Sequence, residues 1–245
     1  MVVLNGSAPH RLAAGGCGMD ELSRLPLLSG VAPEALRHLA AQLRWRSLAA
    51  GEMVVDMGDA SDDVFFLAEG AVRVVLRSAA GKELILNDLV AGDVFGELSA
   101  IDGVGRSANV TALVRSRLCI APARAFMELV LNSPEAAQRL LRLLSARLRE
   151  NTERSLEEAA LPLRHRVLAE LLRLSRDRGG GERAVSPPPA QHVLAARLGL
   201  RRETVSRELA KLARERVLTI SRRAIILHHP GPIRTEIDGL LQASS

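Results

Sequence analysis

Two stretches of this sequence hold residue types whose order could do chemistry. The first reads Phe95-Gly96-Glu97-Leu98-Ser99 and then, eight residues after Leu98, Arg106-Ser107-Ala108. A glycine such as Gly96 lets backbone N–H groups come close to an anion. Arg106 supplies a forked cation that matches phosphate oxygens, and the Ser107 hydroxyl can donate to a second oxygen. Glu97 is suited to accept from a sugar hydroxyl beside that anion. The bland reading is a surface Glu97–Arg106 ion pair in a β-turn. The Gly-Glu-Leu then Arg-Ser-Ala order favours the anion site.

The second stretch is basic. Between Gln191 and His229 there are nine Lys/Arg and three Asp/Glu, whereas the rest of the chain has 24 basic and 25 acidic residues. Such a local excess suits a phosphate-binding face. Ala195, Gly199 and Val205 stand at the spacing of a helix-turn-helix: a small residue for close approach, a glycine for the turn, and an aliphatic plug between the helices. Arg201, Arg202, Glu203, Thr204, Ser206 and Arg207 crowd the start of the second helix. There Arg can pair with guanine edges and Glu can accept from cytosine. The alternative is a solvated face laced by ion pairs. Beyond it, Val217–Ile220 and Ala224–Leu227 flank Ser221-Arg222-Arg223 and predict a hairpin, or wing, whose Arg222 and Arg223 meet phosphates.

The elements that position these residues follow from periodicity. With 245 residues, two compact domains are expected. Residues 1–19 are rich in Gly, Ala and Ser and aperiodic. Leu22, Leu25 and Leu28 begin a helical pattern, and Pro33 opens a second helix. From Arg44 to Ile120 short apolar runs alternate with glycines, which predicts a β-sandwich or roll. After Pro134 one amphipathic stretch runs to about Ala160, with a seam of Ala137, Leu141, Leu144, Leu148, Asn151, Ser155 and Glu158. Its apolar first half, interrupted at Asn151, favours pairing with a second copy around a polar centre over a core helix that packs only on its own domain. Arg166–Arg176 is a further helix, Gly179–Gly181 a loop, and Ser186-Pro187-Pro188-Pro189 the lead into the basic segment.

Composition excludes several classes. Cys17 and Cys119 cannot build a disulfide framework or a four-cysteine cluster. Cys119 reads as a buried small hydrophobe. Four Phe, one Trp and no Tyr supply few stacking platforms for single strands. An enzyme using Glu97 or a histidine as base lacks a partner constellation, because His165, His192, His228 and His229 do not space as a ligand set. No secretory signal and no apolar run of membrane-spanning length is present, so a cytoplasmic protein without membrane contact is expected.

On the Gly96–Ser107 and Ala195–Arg207 segments the chain resembles a known family. From about Glu21 to His229 it is similar to the cAMP receptor protein branch of the bacterial regulators that include the fumarate and nitrate reduction regulator. The resemblance implies an α+β fold. A flexible tail (1–20) would precede a jelly-roll-like cyclic-nucleotide-binding β-roll (21–136), a long dimerisation helix (137–161) and a winged helix-turn-helix domain (162–245). It implies that Gly96, Glu97, Arg106 and Ser107, with Leu98 beside them, hold ribose and phosphate. Val74, Leu86 and Leu89 would pack around the nucleotide. Asn151 and Thr152 would bond the purine, where the family usually shows Thr-Ser or Thr-Asn. That departure leaves cGMP, served by Ser107, as the alternative to cAMP. Arg202, Glu203 and Arg207 match the family's base-reading trio, which implies a palindromic operator with TGTGA-like half-sites. The implied partners are duplex DNA, a second copy and RNA polymerase. The cysteine count excludes the iron–sulfur branch, and His38 and Cys119 make no persuasive haem pair. The rival expectation is a nucleotide-independent regulator with a vestigial sensor. Replacing Arg106 with Leu is expected to remove the nucleotide response and leave the fold intact.

Overall fold

The computed structural model describes residues 19–78 and 81–243. Residues 1–18 of the expected tail lie outside the described residues. The chain forms two compact units that divide inside one long helix, between Ala146 and Arg147. Among the described residues no helix is long and apolar enough to cross a membrane.

The first unit opens with α1 (Met19–Ser23), a 3-10 turn (Pro26–Leu28) and α2 (Pro33–Ala40). Pro33 takes the first helical position, where its missing N–H costs nothing. Strands β1 (Arg44–Leu48), β2 (Met53–Val55), β3 (Val64–Glu69), β4 (Ala71–Arg77), β5 (Glu83–Val90), β6 (Val94–Phe95), β7 (Asn109–Ala112) and β8 (Ser116–Ala121) follow. A short helix, α3 (Glu97–Asp102), stands between β6 and β7. The strands make two four-stranded sheets, ordered β1-β8-β3-β6 and β2-β7-β4-β5.

Strand β3 shows why this roll has two apolar layers. Its residues Val64, Phe65, Phe66 and Leu67 are all buried. Successive strand residues face opposite ways. Phe65 and Leu67 enter the core between the sheets with Val72, Leu89, Phe95, Val110 and Leu118. Val64 and Phe66 pack instead beneath the helices with Leu28, Leu39, Cys119, Phe126 and Leu140. A strand covered on both faces cannot alternate in polarity, which is why this run is continuously apolar.

Helix α4 (Ala123–Asn132) leads through Ser133 into α5 (Pro134–Ala160). The Ser133 hydroxyl accepts from the Ala136 N–H and donates to Glu135, which caps the start. The Glu135 backbone N–H and that hydroxyl both donate to the Glu135 carboxylate and hold its pKa below the ordinary value. The expected seam of α5 divides between two environments. Ala137 and Leu144 pack on the first unit's own core, whereas Leu141 and Leu148 are 65% and 68% exposed. The half-buried pair satisfies the helix's own domain. The exposed pair, seven residues apart, leaves an apolar line facing outward.

The second unit continues with α6 (Leu163–Leu174), β9 (Arg176–Gly179), β10 (Glu182–Val185), α7 (Gln191–Arg197), α8 (Arg202–Arg214), β11 (Leu218–Ile220), β12 (Ile225–Leu227) and α9 (Pro230–Ala243). One sheet, ordered β11-β12-β10-β9, backs its helices. Leu168, Leu171, Leu194, Val205, Leu212 and Leu227 centre the core. Two features depart from expectation. Residues flanking the Gly179–Gly181 loop are strands, so the loop is a hairpin turn. Residues after His229 form a helix whose Ile233 and Ile237 are buried in that same core.

Candidate functional site

The cassette is built where β6 ends. Gly96 has φ +80°, a left-handed conformation that glycine adopts at little cost. A Cβ there would stand 2.7 Å from Arg106 Nη1 and 2.9 Å from the Asp63 carbonyl oxygen. Both conformation and space therefore require glycine. Helix α3 starts at the next residue, Glu97, which is 2% exposed.

Arg106 is 3% exposed. Its Nε donates to Ser61 Oγ (2.9 Å), Nη1 to the Gly96 carbonyl (3.0 Å) and Nη2 to the Asp63 carbonyl (2.7 Å). The guanidinium lies over the Phe65 ring, 5.3 Å from its centroid. Phe65 in turn stacks on Phe95 at 4.9 Å. All three partners are neutral oxygens, and among the described residues no carboxylate comes within ion-pair distance of Arg106. Burial pulls its pKa below the ordinary value, and the more distant Asp63, Asp62, Asp59 and Glu97 push it back up. A buried cation costs free energy without a counter-charge. One N–H on each terminal nitrogen remains for an anion. The reading of a surface Glu97–Arg106 pair fails, since both side chains are buried.

The other expected nucleotide residues divide. Ser107 is exposed beside Arg106. Leu89 lies in the core between the sheets and Val74 packs against it. Leu86 departs from expectation: it precedes Leu89 by an odd number of residues on β5, so its half-buried side chain faces the other side of the sheet. Leu98 is 45% exposed on α3. Asn151 and Thr152 are exposed on α5 in the second unit, and the Thr152 hydroxyl donates to the Leu148 carbonyl. Ser61, Asp63 and Phe65 escape sequence reasoning. The Asp59-Ala60-Ser61-Asp62-Asp63 run is visible in the chain, but its meeting with Arg106 is a tertiary contact.

In the second unit the turn between α7 and α8 matches its expected roles. Ala195 is 3% and Val205 0% exposed. Gly199 has φ +65°, and the Leu200 N–H closes back on the Ala195 carbonyl at 2.9 Å. Arg201, Arg202, Glu203 and Arg207 are exposed, whereas Thr204 and Ser206 are half-buried. Arg207 Nε reaches the Glu203 carbonyl at 3.4 Å. The wing forms as expected from β11 and β12, with Arg222 and Arg223 exposed at its turn. Among the described residues none of these five arginines has an ion-pair partner, which removes the salt-bridge-laced alternative.

A clamp that the sequence did not announce fastens the end of α5 to this unit. Glu157 accepts from Arg173 Nη2 at 2.8 and 2.7 Å. Arg173 Nη1 also bonds Glu170, which is 2% exposed, and Arg197 of α7 stands 3.6 Å from the other Glu170 oxygen. Arg166 pairs with Glu158 at 3.4 Å and donates to the Leu198 carbonyl at the end of α7, 2.9 Å away. The Glu170 and Glu157 carboxylates raise the Arg173 pKa above its ordinary value against the effect of burial.

Comparison with known proteins agrees with this arrangement. A cyclic nucleotide-binding domain model matches residues 45–133, and a Crp-like helix-turn-helix domain model matches residues 165–231. The chain is 29% identical over 213 residues to a CRP-like cAMP-activated global transcriptional regulator of Mycobacterium tuberculosis, covering 85% of this chain and 95% of the relative. It is 32% identical over 221 residues to the cyclic AMP receptor protein of Thermus thermophilus, covering 89% and 95%. A solved CRP-family transcriptional regulator, also from Thermus thermophilus, superimposes with a TM-score of 0.62 at 27% identity, covering 80% of this chain and 98% of that one. Fungal lysophospholipases also match, over 54% of this chain but only 9% of their own length. That likeness is confined to the nucleotide-binding half.

Proposed function

Since this chain belongs to the CRP/FNR family of transcription regulators, with a cyclic-nucleotide-binding domain and a Crp-like helix-turn-helix, we propose that it is a cAMP-responsive homodimer that reads a palindromic operator with TGTGA-like half-sites. The observation that carries the effector half is Arg106. It is a buried guanidinium held by neutral oxygens, with Glu97 buried one residue after the Gly96 turn. A cyclic phosphate supplies the missing counter-charge, Ser107 donates to it, and Glu97 accepts from the ribose 2′-hydroxyl. The relatives named for cAMP support that nucleotide over cGMP. Asn151 and Thr152 can each donate and accept toward a purine.

Dimerisation uses the outward line of Leu141 and Leu148 on α5. Thr152, one turn beyond Leu148, continues that line. The clamp of Glu157, Glu170, Arg173 and Arg197 makes the end of α5 and the helix-turn-helix move as one body. A nucleotide that favours one pairing of the two α5 helices thereby sets the separation of the two α8 helices. The DNA-competent pairing places them about one duplex turn apart. The nucleotide must bind that pairing more tightly than the other, or nothing shifts. Arg202, Glu203 and Arg207 read base edges. Arg201, Thr204, Ser206, Arg222 and Arg223 meet the backbone. RNA polymerase is the partner through which promoter-bound protein acts.

The test is calorimetric titration with cAMP and with cGMP, followed by operator selection with and without each. Tight cAMP binding with enhanced operator affinity is expected. Tighter binding of cGMP overturns the choice of nucleotide. Equal operator affinity in all three conditions overturns the switch and leaves a nucleotide-independent regulator.

A further inference from the structure

The sheet of the DNA-binding unit has a face that the helix-turn-helix does not use. Val185, Ile225 and Leu227 are buried in the core, so Ala184 and Ile226 face the other way. The strand register sets Arg176, Ala184 and Ile226 in one row across β9, β10 and β12. Around that row lie Asp177, Arg178, Ser186, Ser221 and Arg223, and together they line a groove of about 460 Å³.

Three properties of the groove point to one ligand. Its charge is cationic, with three guanidinium groups against the single carboxylate of Asp177. The exposed Arg178 side chain is engaged with Glu182 at 3.2 Å, and Glu182, half-buried, also pairs with His228 Nδ1 at 2.9 Å. An ion pair on an exposed arginine contributes little, so a phosphate can take the carboxylate's place on Arg178. Next, the floor is short and aliphatic, made by Ala184 and Ile226. It offers no aromatic ring for stacking and no side-chain amide for base edges, which suits a sugar–phosphate backbone. Finally, the groove is continuous with the DNA-reading surface. Arg223 belongs both to the groove and to the wing turn. The Ser186 hydroxyl donates to the Arg223 carbonyl at 3.0 Å, which ties the wing to the segment that enters α7 through Pro187–Pro189.

We propose that this groove is a second, sequence-independent DNA site, in which Arg176 and Arg178 together with Arg223 hold the phosphate backbone of duplex DNA beyond the bases read by α8. The proposal rests on the DNA-binding reading above and extends it to the edge strand β9. A backbone that meets Arg222 and Arg223 at the wing runs on across β12 and β10 toward β9. The hairpin Arg176–Val185 then contributes affinity without contributing sequence preference.

The experiment uses the full chain and two duplexes, one of mixed sequence and one carrying the selected operator. Binding is followed by fluorescence anisotropy across a salt series for wild type, Arg176→Gln/Arg178→Gln and, as a control for base reading, Arg202→Gln. Each lost phosphate contact lowers the slope of log K against log salt by about 0.9. The double variant is therefore expected to lose about two units of slope and about tenfold or more in low-salt affinity, equally on both duplexes. Arg202→Gln is expected to lose affinity on the operator duplex far more than on the mixed one. An unchanged slope for the double variant overturns the proposal, also when transcription from a reconstituted promoter falls, since the groove then serves a protein surface. If wild type binds neither duplex, the DNA reading itself fails and the proposal with it. Should the double variant melt early, the exposed single change Arg178→Gln is expected to lose about one unit of slope, and no loss there is equally decisive.

Discussion

Gly96 and Arg106 hold one another in place. The Gly96 carbonyl accepts from Arg106 Nη1 at 3.0 Å, and a Cβ on Gly96 would stand 2.7 Å from that same nitrogen. The turn that exposes backbone to an anion thus exists only if the guanidinium beside it sits where it does. Gly96→Ala breaks this relationship twice, through a left-handed conformation that costs about 1–2 kcal/mol and through displacement of Arg106. Expected are a modest fall in thermal stability and a loss of cAMP affinity far beyond it, read by calorimetry on the folded variant. Wild-type affinity in Gly96→Ala would sever the link.

Arg106 itself carries more than the ligand. From sequence, Arg106→Leu reads as a clean loss of nucleotide response. In the structure the side chain also satisfies Ser61 Oγ and the carbonyls of Gly96 and Asp63. Leaving such buried acceptors unpaired costs about 1–3 kcal/mol each, although water entering the site offsets part of it. Arg106→Leu is expected to lower the melting temperature and abolish cAMP binding. Arg106→Lys is expected to keep charge and most stability but still lose affinity, because one ammonium cannot replace the fork. Melting and titration of both variants separate the two roles.

In the second unit, base reading and backbone holding should come apart by mutation. Arg202→Gln is expected to relax preference at one base pair of the half-site, at about 1–3 kcal/mol. Arg222→Gln/Arg223→Gln is expected to weaken all sequences alike and flatten the salt dependence. A selection of bound sequences with each variant checks the contrast. If both variants shift sequence preference equally, the assignment of roles to α8 and wing is wrong.

The exposed leucines of α5 give a prediction independent of DNA. Leu148 is 68% exposed and Leu141 65%. Replacing Leu148 with Lys removes apolar contact area from a pair of α5 helices and adds two like charges across it, while touching little of its own domain. Sedimentation velocity should show dimers becoming monomers at micromolar concentration without loss of helix content. Persistence of the dimer would move the interface elsewhere.

The clamp below α5 should respond as a buried ion pair. Glu170 is 2% exposed and bonded to Arg173. Arg173→Met strands that carboxylate, and breaking a buried pair from one side costs about 3–5 kcal/mol. Arg197, at 3.6 Å, recovers part of this. The double change Arg173→Met/Glu170→Gln should be more stable than Arg173→Met alone. Operator affinity in the double variant should respond less to cAMP, because Glu157 no longer fastens α5 to the recognition module.

What the sequence determines here is local. Ala195, Gly199 and Val205 lie within eleven residues, and helix geometry alone makes them meet. The capped start at Ser133-Pro134 and the run to Ala160 mark α5 for the same reason. The continuous apolar run of β3 makes a strand covered on both faces legible, because burial dictates polarity residue by residue. The cassette's order, Gly96-Glu97 then Arg106-Ser107, is likewise visible as a string. Long-range contact decides the rest. Arg106 finds Ser61 and Asp63 across 45 and 43 residues of chain, and no spacing rule links them. Leu86 and Leu89 look equivalent until strand direction turns one of them outward. The Arg176–Gly179 strand is exposed throughout, so it carries no apolar period and exists only by pairing with β10. Glu157, Glu170, Arg173 and Arg197 read as ordinary surface charges until packing buries one carboxylate among them. The chain thus spells out its helices, strands and turns, whose forces act within a few residues. Only the folded core decides which charges lose their water and must therefore hold a partner or wait for a ligand.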